Sequence, residues 1–181
     1  LRELGITDDR LDRAIAAYFE YYDAGDGWAD NAVFPGIEDV LQGLRARDVR
    51  LAIATSKKER LANRILGHFG LADHFEFVGG ASEDQSRRAK SDVIAHTLTG
   101  LGIAPVRGGT RGVVLVGDRH HDVDGAAEWG IPTIFAGWGY GRPGESAGAR
   151  WVAETVADLR SLLQFSGEDE AHPNQPDARL G

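Results

Sequence analysis

The stretch that decides the fold is GVVLVGDRHHD, residues 112–122. Its apolar, valine-rich start between glycines is typical of a fully buried parallel strand. Such a strand delivers Asp118 to its carboxyl end, where open α/β sheets bind ligands, and Asp122 begins the next helix beside it. Two carboxylates at a strand end suit Mg²⁺, which keeps several waters and takes one or two protein carboxylates. The alternative is that Asp118 or Asp122 only caps the following helix.

Repeated strand and helix patterns surround this stretch. The predicted strands are 51–54, 75–78, 112–117, 132–136 and 151–153, and the predicted helices are 8–24, 37–44, 61–69, 93–101 and one that follows residue 118 and ends at Gly130. This alternation predicts an α/β fold with a parallel, doubly wound, three-layer sheet. Residues 166–181 are polar and carry no periodicity, which predicts a disordered tail.

The composition excludes several classes of protein. The 181 residues are 42% hydrophobic and carry a net charge of −8, which fits one ordinary domain with at most a small appendage. No basic cluster extends beyond Arg87-Arg88, so we expect no nucleic-acid partner. No apolar run approaches the roughly 20 residues of a membrane span, so we expect no membrane partner. The absence of cysteine excludes disulfides and fits a cytoplasmic protein. The oligomeric state is not predicted.

Two more segments carry candidate functional residues. Thr55 and Ser56 follow the strand at 51–54, and hydroxyls with free amides at a helix N-terminus can bind phosphate. Alternatively, Ser56 and Glu59 form an ordinary capping box. Lys90 opens a predicted helix, where a positive charge opposes the helix dipole. The lysine is therefore either solvated or required by an acidic partner.

Three other patterns are less promising. His120 and His121 are adjacent on a helix and point in different directions, so we expect no zinc site there. The sequence GWGYG at 137–141 lacks the spacing of a dinucleotide site and is interpreted as a loop flanking the crevice. The sequence DVDG at 122–125 mimics a D-x-D-G nucleophile motif. It does not follow a buried strand, so Asp124 is rejected as a nucleophile.

The ordered set TSK at 55–57, Lys90 and GDRHHD at 117–122 resembles the haloacid dehalogenase superfamily, most closely its phosphoglycolate phosphatase and 5′-nucleotidase-like branch. The similarity covers residues 1–163. It implies a Rossmann-like core and Mg²⁺-dependent hydrolysis of a small phosphomonoester through an aspartyl-phosphate. The resemblance implies that Thr55 and Lys90 are catalytic and bind the phosphate together with Ser56. It also implies that Asp118 and Asp122 form the metal site, with Asp122 acting through water or by orienting Lys90.

One motif of that superfamily, a strand ending in D-x-D-G-T that supplies the nucleophile, does not occur here. We expect it before Leu1, as a central strand between those at 51–54 and 112–117, and we expect the chain alone to be inactive. Residues 1–32 are then part of a small helical cap, and residues 33–165 form the core. The alternative function is a catalytically inactive module that binds a phosphorylated metabolite or a protein partner. The identity of the substrate is not predicted.

Overall fold

The structure is a computed structural model and describes residues 10, 13–14, 16–17, 20–25 and 27–165. Residues 10, 13–14 and 16–17 are helical, and a π-helix follows at Glu20–Ala24. The remaining positions of the predicted helix at 8–24, and the predicted tail at 166–181, lie outside the described residues. A short 3₁₀ helix at Gly27–Asp30 precedes the α/β part of the chain.

Helices and strands alternate from residue 37 to residue 136, as the sequence predicts. The predicted strand at 151–153 follows, and after it comes a helix that the sequence pattern does not predict, Val156–Phe165. The helices are α1 (Ile37–Arg45), α2 (Glu59–His68), α3 (Lys90–Gly100), α4 (His120–Ala127) and α5 (Val156–Phe165). The strands are β1 (Ala52–Lys58), β2 (Phe77–Ala81), β3 (Leu115–Gly117), β4 (Thr133–Ala136) and β5 (Trp151–Ala153). A further 3₁₀ helix lies at Ala72–His74. None of the described helices is long and apolar enough to cross a membrane.

All strand pairs in the described residues are parallel. β1 pairs with β2, and β3, β4 and β5 pair in that order. The two groups form separate sheets, since β1 and β3 are not hydrogen-bonded to each other within the described part of the chain. The predicted α/β fold with parallel strands is thus confirmed.

Helices cover both faces of the strands. α3 and α4 pack against each other, and their cluster of Ile94, Leu98 and Ala126 also contacts Leu115 of β3. Leu115 pairs with Thr133, and the next residue, Ile134, packs against Leu159 of α5. Because neighbouring residues of a strand point to opposite faces, α3 and α4 lie on one side and α5 on the other. This is the predicted three-layer arrangement.

Three strands differ clearly from their predicted bounds, and one of them, β3, begins at Leu115 rather than at residue 112. β1 continues through Thr55 and Ser56 to Lys58, so Ser56 lies in a strand and the predicted capping box with Glu59 is wrong. β2 begins at Phe77 and includes Gly80, where an added Cβ would lie 2.6 Å from the backbone N and Cα of Glu59. Only glycine permits this close approach of a strand to the start of a helix.

The expectation that the strand before Asp118 is fully buried is also wrong. β3 is only partly buried, and Val116 in its centre is 42% exposed. Within the described residues β3 pairs on one side only, with β4. Val116 therefore lacks a neighbouring strand to cover it, whereas every residue of β4, which pairs on both sides, is buried.

Candidate active site

The predicted site residues meet in one cleft. It has a volume of about 580 Å³ and lies where β1 and β3 end. Thr55 and Ser56 line it from β1, and Lys90 lines it from the first turn of α3. Asp118 lies in the turn after β3, and Asp122 lies in the first turn of α4. The carboxyl ends of parallel strands are the usual binding edge of such folds, because loops and helix N-termini converge there.

Lys90 and Asp122 form an ion pair at the base of the cleft. Lys90 Nζ lies 2.7 Å from Asp122 Oδ1, and the side chains are only 10% and 6% exposed. The ammonium also donates to the carbonyl oxygen of Ala54 at 2.6 Å. A charge this well buried requires a partner. The placement of Lys90 against the helix dipole is therefore explained by an acidic partner, and the alternative of a solvated lysine is wrong.

Asp122 also accepts hydrogen bonds from the backbone of the turn after β3. Its Oδ2 accepts hydrogen bonds from the backbone N–H groups of Asp118 and Arg119, both at 3.1 Å. The predicted capping role of Asp122 is therefore correct, and the same carboxylate also orients Lys90. Gly117 is required beside it, since an added Cβ would lie 2.5 Å from Asp122 Cβ.

Asp118 does not cap the helix, because the N-cap residue of α4 is Arg119. Instead, the Asp118 Oδ2 atom accepts a hydrogen bond from the backbone N–H of Tyr140 at 2.7 Å. A Cβ added at Gly139 would overlap the Asp118 side chain, so the loop at 137–141 closes tightly around this carboxylate. The hydrogen bond that holds Asp118 in this loop therefore uses Oδ2.

Thr55 presents a hydroxyl near the end of β1. Its Oγ1 accepts a hydrogen bond from the backbone N–H of Lys57 at 3.2 Å. A hydroxyl has one proton to donate as well as lone pairs, so Thr55 can still donate to an oxygen in the cleft. Ser56 is exposed on the cleft wall.

The carboxylate oxygens in the cleft are the type of donor atom that suits Mg²⁺. A carboxylate oxygen is the ligand that Mg²⁺ prefers, and one or two protein carboxylates suffice when water and phosphate complete the shell. Asp118 supplies such an oxygen, while both oxygens of Asp122 already have partners. Across the described ranges, no group of three or more His, Cys, Asp or Glu side chains is arranged to hold a metal ion. Within the described residues, Asp118 is hydrogen-bonded through Oδ2, whereas the two oxygens of Asp122 hold Lys90 and the turn after β3.

An ion pair fixes the loop beside Asp118. Arg119 donates from Nε and Nη2 to the two oxygens of Glu145 at 2.7 and 3.2 Å. The hydrogen bond from Arg119 lowers the pKa of Glu145 to about 2 and raises the pKa of Arg119. Sequence reasoning missed Glu145, because it lies 26 residues from its partner and no local pattern links them.

Comparison with known proteins shows the family to which the chain belongs. A family model described as haloacid dehalogenase-like hydrolase matches residues 1–136. The chain is 52% identical over 167 residues to the tyrosine-protein kinase PtkA of Mycobacterium tuberculosis, covering 90% of this chain and 55% of that protein. It thus spans little more than half of that relative.

Two further relatives are named 5′-nucleotidase and phosphoglycolate phosphatase. The chain is 32% identical over 164 residues to the 5′-nucleotidase of Pseudomonas aeruginosa, covering 91% of this chain and 71% of that protein. It is 33% identical over 167 residues to the phosphoglycolate phosphatase of Rhodospirillum rubrum, covering 90% and 67%.

A solved structure agrees with these relatives. A "predicted phosphatase" from Clostridium acetobutylicum superimposes with a TM-score of 0.78 at 31% identity, covering 90% of this chain and 74% of that one. The family model and these relatives confirm the resemblance to the haloacid dehalogenase superfamily that the sequence indicates. The chain belongs to the haloacid dehalogenase-like hydrolase family, with relatives named phosphoglycolate phosphatase and 5′-nucleotidase.

Proposed function

We propose that this chain is the phosphate- and metal-binding part of a Mg²⁺-dependent phosphatase that hydrolyses a small phosphomonoester, in the cytoplasm, through an aspartyl-phosphate. The observation that carries the proposal is the buried pair of Lys90 and Asp122, 2.7 Å apart, in the cleft that Asp118 and Thr55 also line. Phosphoryl transfer depends mainly on positioning and on neutralising charge, and this arrangement supplies both.

Each side chain has a defined task in this proposal. The Thr55 hydroxyl and Ser56 donate hydrogen bonds to the oxygens of the transferring phosphoryl group. A lysine ammonium has three donors, and Lys90 uses two on Ala54 and Asp122, so the third faces the phosphate. Asp118 would hold Mg²⁺, which when bound would polarise the phosphoryl group and offset its charge. Asp122 keeps Lys90 in place.

The nucleophile is proposed to come from a segment upstream of this chain. Residues of β1 and of the turn after β3 line the same cleft, and the two strands do not pair with each other in the described residues. A parallel strand between them would end beside Thr55 and Asp118, at the edge where such sheets present reactive side chains. In this proposal residues 1–32 belong to a helical cap, and residues 33–165 form the core.

A second candidate is transfer of the phosphoryl group to a tyrosine hydroxyl rather than to water. The observation that favours it is the 52% identity to a relative named tyrosine-protein kinase. The same cleft would neutralise the phosphoryl group in either reaction, so the acceptor has to be determined by experiment.

The test uses the intact protein that contains this chain, with Mg²⁺ present or removed by chelation. One arm measures release of inorganic phosphate from 2-phosphoglycolate, 5′-nucleotides and p-nitrophenyl phosphate. The other arm measures transfer from ATP to a tyrosine-containing peptide. We expect Mg²⁺-dependent phosphate release that Asp118→Asn abolishes. Transfer to the peptide without phosphate release supports the second candidate. Binding of inorganic phosphate with neither activity would indicate the inactive module.

A further inference from the structure

Glu59 makes an unusual set of contacts just outside the cleft. It is the first residue of α2 and directly follows Lys58, the last cleft-lining residue of β1. Its Oε2 accepts hydrogen bonds from Arg87 Nη2 and His96 Nε2, both at 3.0 Å, and from the backbone N–H of Gly80 at 3.3 Å. A carboxylate can only accept, so His96 carries its proton on Nε2.

These partners belong to segments on both sides of Lys90 in the sequence. Gly80 lies in β2, and Arg87 also donates from Nε to the Gly80 carbonyl oxygen at 2.8 Å. Arg87 stands three residues before Lys90 in the sequence. His96 lies on α3, the helix that Lys90 begins, and its ring packs against Phe77 with centroids 5.2 Å apart. One carboxylate thus joins the end of β1, β2 and both flanks of Lys90.

These contacts are suited to fixing the distance between the start of α2 and the segments on both sides of Lys90. The Glu59, Arg87 and His96 side chains are 36%, 24% and 31% exposed, so each is partly shielded from water. Hydrogen bonds from a guanidinium to a carboxylate are short and directional. The approach of Gly80 to the Glu59 backbone leaves no space for even a methyl group between β2 and α2. None of these three side chains lines the cleft, so an effect on catalysis has to pass through Thr55 and Lys90.

We propose that Glu59 is a positioning residue that fixes the Lys90 ammonium relative to the Thr55 hydroxyl. This inference rests on the proposed phosphatase function. Without the carboxylate, the loop before α3 loses its ion pair with the start of α2, and the Lys90 ammonium and the Thr55 hydroxyl are less tightly fixed relative to each other. Misplacement of about 1 Å at a reacting centre costs up to about a hundredfold in rate.

The experiment compares kcat and KM of the intact wild-type protein and Glu59→Gln on p-nitrophenyl phosphate. We expect kcat to fall about tenfold while KM changes less than twofold, since positioning acts mainly in the transition state. His96→Gln disrupts the contact with Glu59, and Arg87→Gln disrupts the contacts with Glu59 and the Gly80 carbonyl; each variant is expected to lower kcat by a smaller factor, again with little change in KM. They also keep the proposal testable if Glu59→Gln fails to fold.

The matched control is Glu76→Gln, which removes an exposed ion pair with Arg50, 2.9 Å long and outside the cleft lining. Unchanged kcat and KM are expected there. If wild-type protein is active and Glu59→Gln retains its kcat despite a lower melting temperature, Glu59 is merely structural and the inference is overturned. If the wild-type protein shows no turnover, the proposed phosphatase function is wrong, and the positioning role of Glu59 is wrong as well.

Discussion

At the scale of single residues, the pairing of Lys90 with Asp122 is the feature with the clearest physical meaning. Both side chains are about nine-tenths buried. The free-energy cost of desolvating two charges is about as large as the gain from their attraction. A buried ion pair therefore adds little net stability over a well-packed apolar pair. The presence of the Lys90–Asp122 pair in this cleft is therefore explained by a functional role of the Lys90 ammonium rather than by stability.

The first prediction concerns Lys90→Met. It leaves the Asp122 carboxylate buried without its cation, so the free energy of unfolding should fall by about 3 kcal/mol, and turnover should be lost. The double variant Lys90→Met with Asp122→Asn removes the uncompensated charge and should recover part of that stability with no recovery of turnover. Urea unfolding and a phosphatase assay measure the two effects. Turnover by Lys90→Met would contradict the assigned role of the ammonium.

The second prediction concerns Gly139→Ala. The new methyl group overlaps the Asp118 side chain, so it should displace the carboxylate and weaken its hold on Mg²⁺. We expect the Mg²⁺ concentration needed for half-maximal activity to rise about tenfold or more, as for loss of a supporting contact in a metal site. Gly43→Ala on α1 is the control, because an added Cβ there meets nothing within 4 Å. An unchanged Mg²⁺ dependence in Gly139→Ala would remove Asp118 from the metal site.

At the scale of elements, the region after β4 acts as a support for the turn after β3. Its first part donates the Tyr140 N–H to Asp118, and Glu145 holds Arg119, the N-cap residue of α4. Glu145 also accepts a hydrogen bond from the backbone N–H of His120 at 3.2 Å. The turn after β3 is therefore held by Tyr140 and Glu145, from the region after β4, as well as by Asp122.

The third prediction is a pH dependence of this support. The Arg119 hydrogen bond lowers the pKa of Glu145 from 4.5 to about 2. The contribution of this carboxylate to stability is therefore complete above about pH 4.5 and is lost as the pH falls towards 2. The difference in urea midpoint between wild type and Glu145→Gln should be largest above pH 4.5 and shrink below it. Glu38→Gln on α1 controls for net charge, and a difference that does not vary with pH would contradict the account.

The sequence predicts the elements well because their periodicity is local. The bounds of α1 and β5 agree closely with the prediction, and Lys90 and Asp118 stand where expected, at a helix start and after a strand. The errors arise where distant segments meet. β1 extends to Lys58 because β2 runs beside it as far as Ala81, which the capping pattern at Ser56 conceals. Glu59 and Glu145 act on partners remote in sequence, so only the fold brings them to the site.

At the scale of the whole molecule, the described residues form two parallel sheets that meet at the cleft rather than one continuous sheet. Val116 of β3 is 42% exposed, although valine in a parallel strand is normally covered. An unpaired strand edge invites pairing with another segment. A strand between β1 and β3 would satisfy both edges and bury Val116.

The fourth prediction follows from these edges. A protein of these 181 residues alone should melt at a lower temperature than the intact protein and should release no phosphate from p-nitrophenyl phosphate. Calorimetry and the phosphatase assay measure both properties. Val116→Thr, which makes this face of β3 more polar, should destabilise the intact protein more than the isolated chain. Equal stability and equal activity of the two proteins would show that no strand is missing from the sheet.

The central claim is tested most directly by locating the phosphoryl group during turnover. The intact protein is mixed with Mg²⁺ and a phosphomonoester, quenched in acid and digested, and its peptides are weighed by mass spectrometry. The account predicts one phosphoryl adduct on an aspartate in a peptide that lies outside residues 1–181. An adduct on Asp118 or Asp124, or steady hydrolysis with no adduct in rapidly quenched samples, would contradict it.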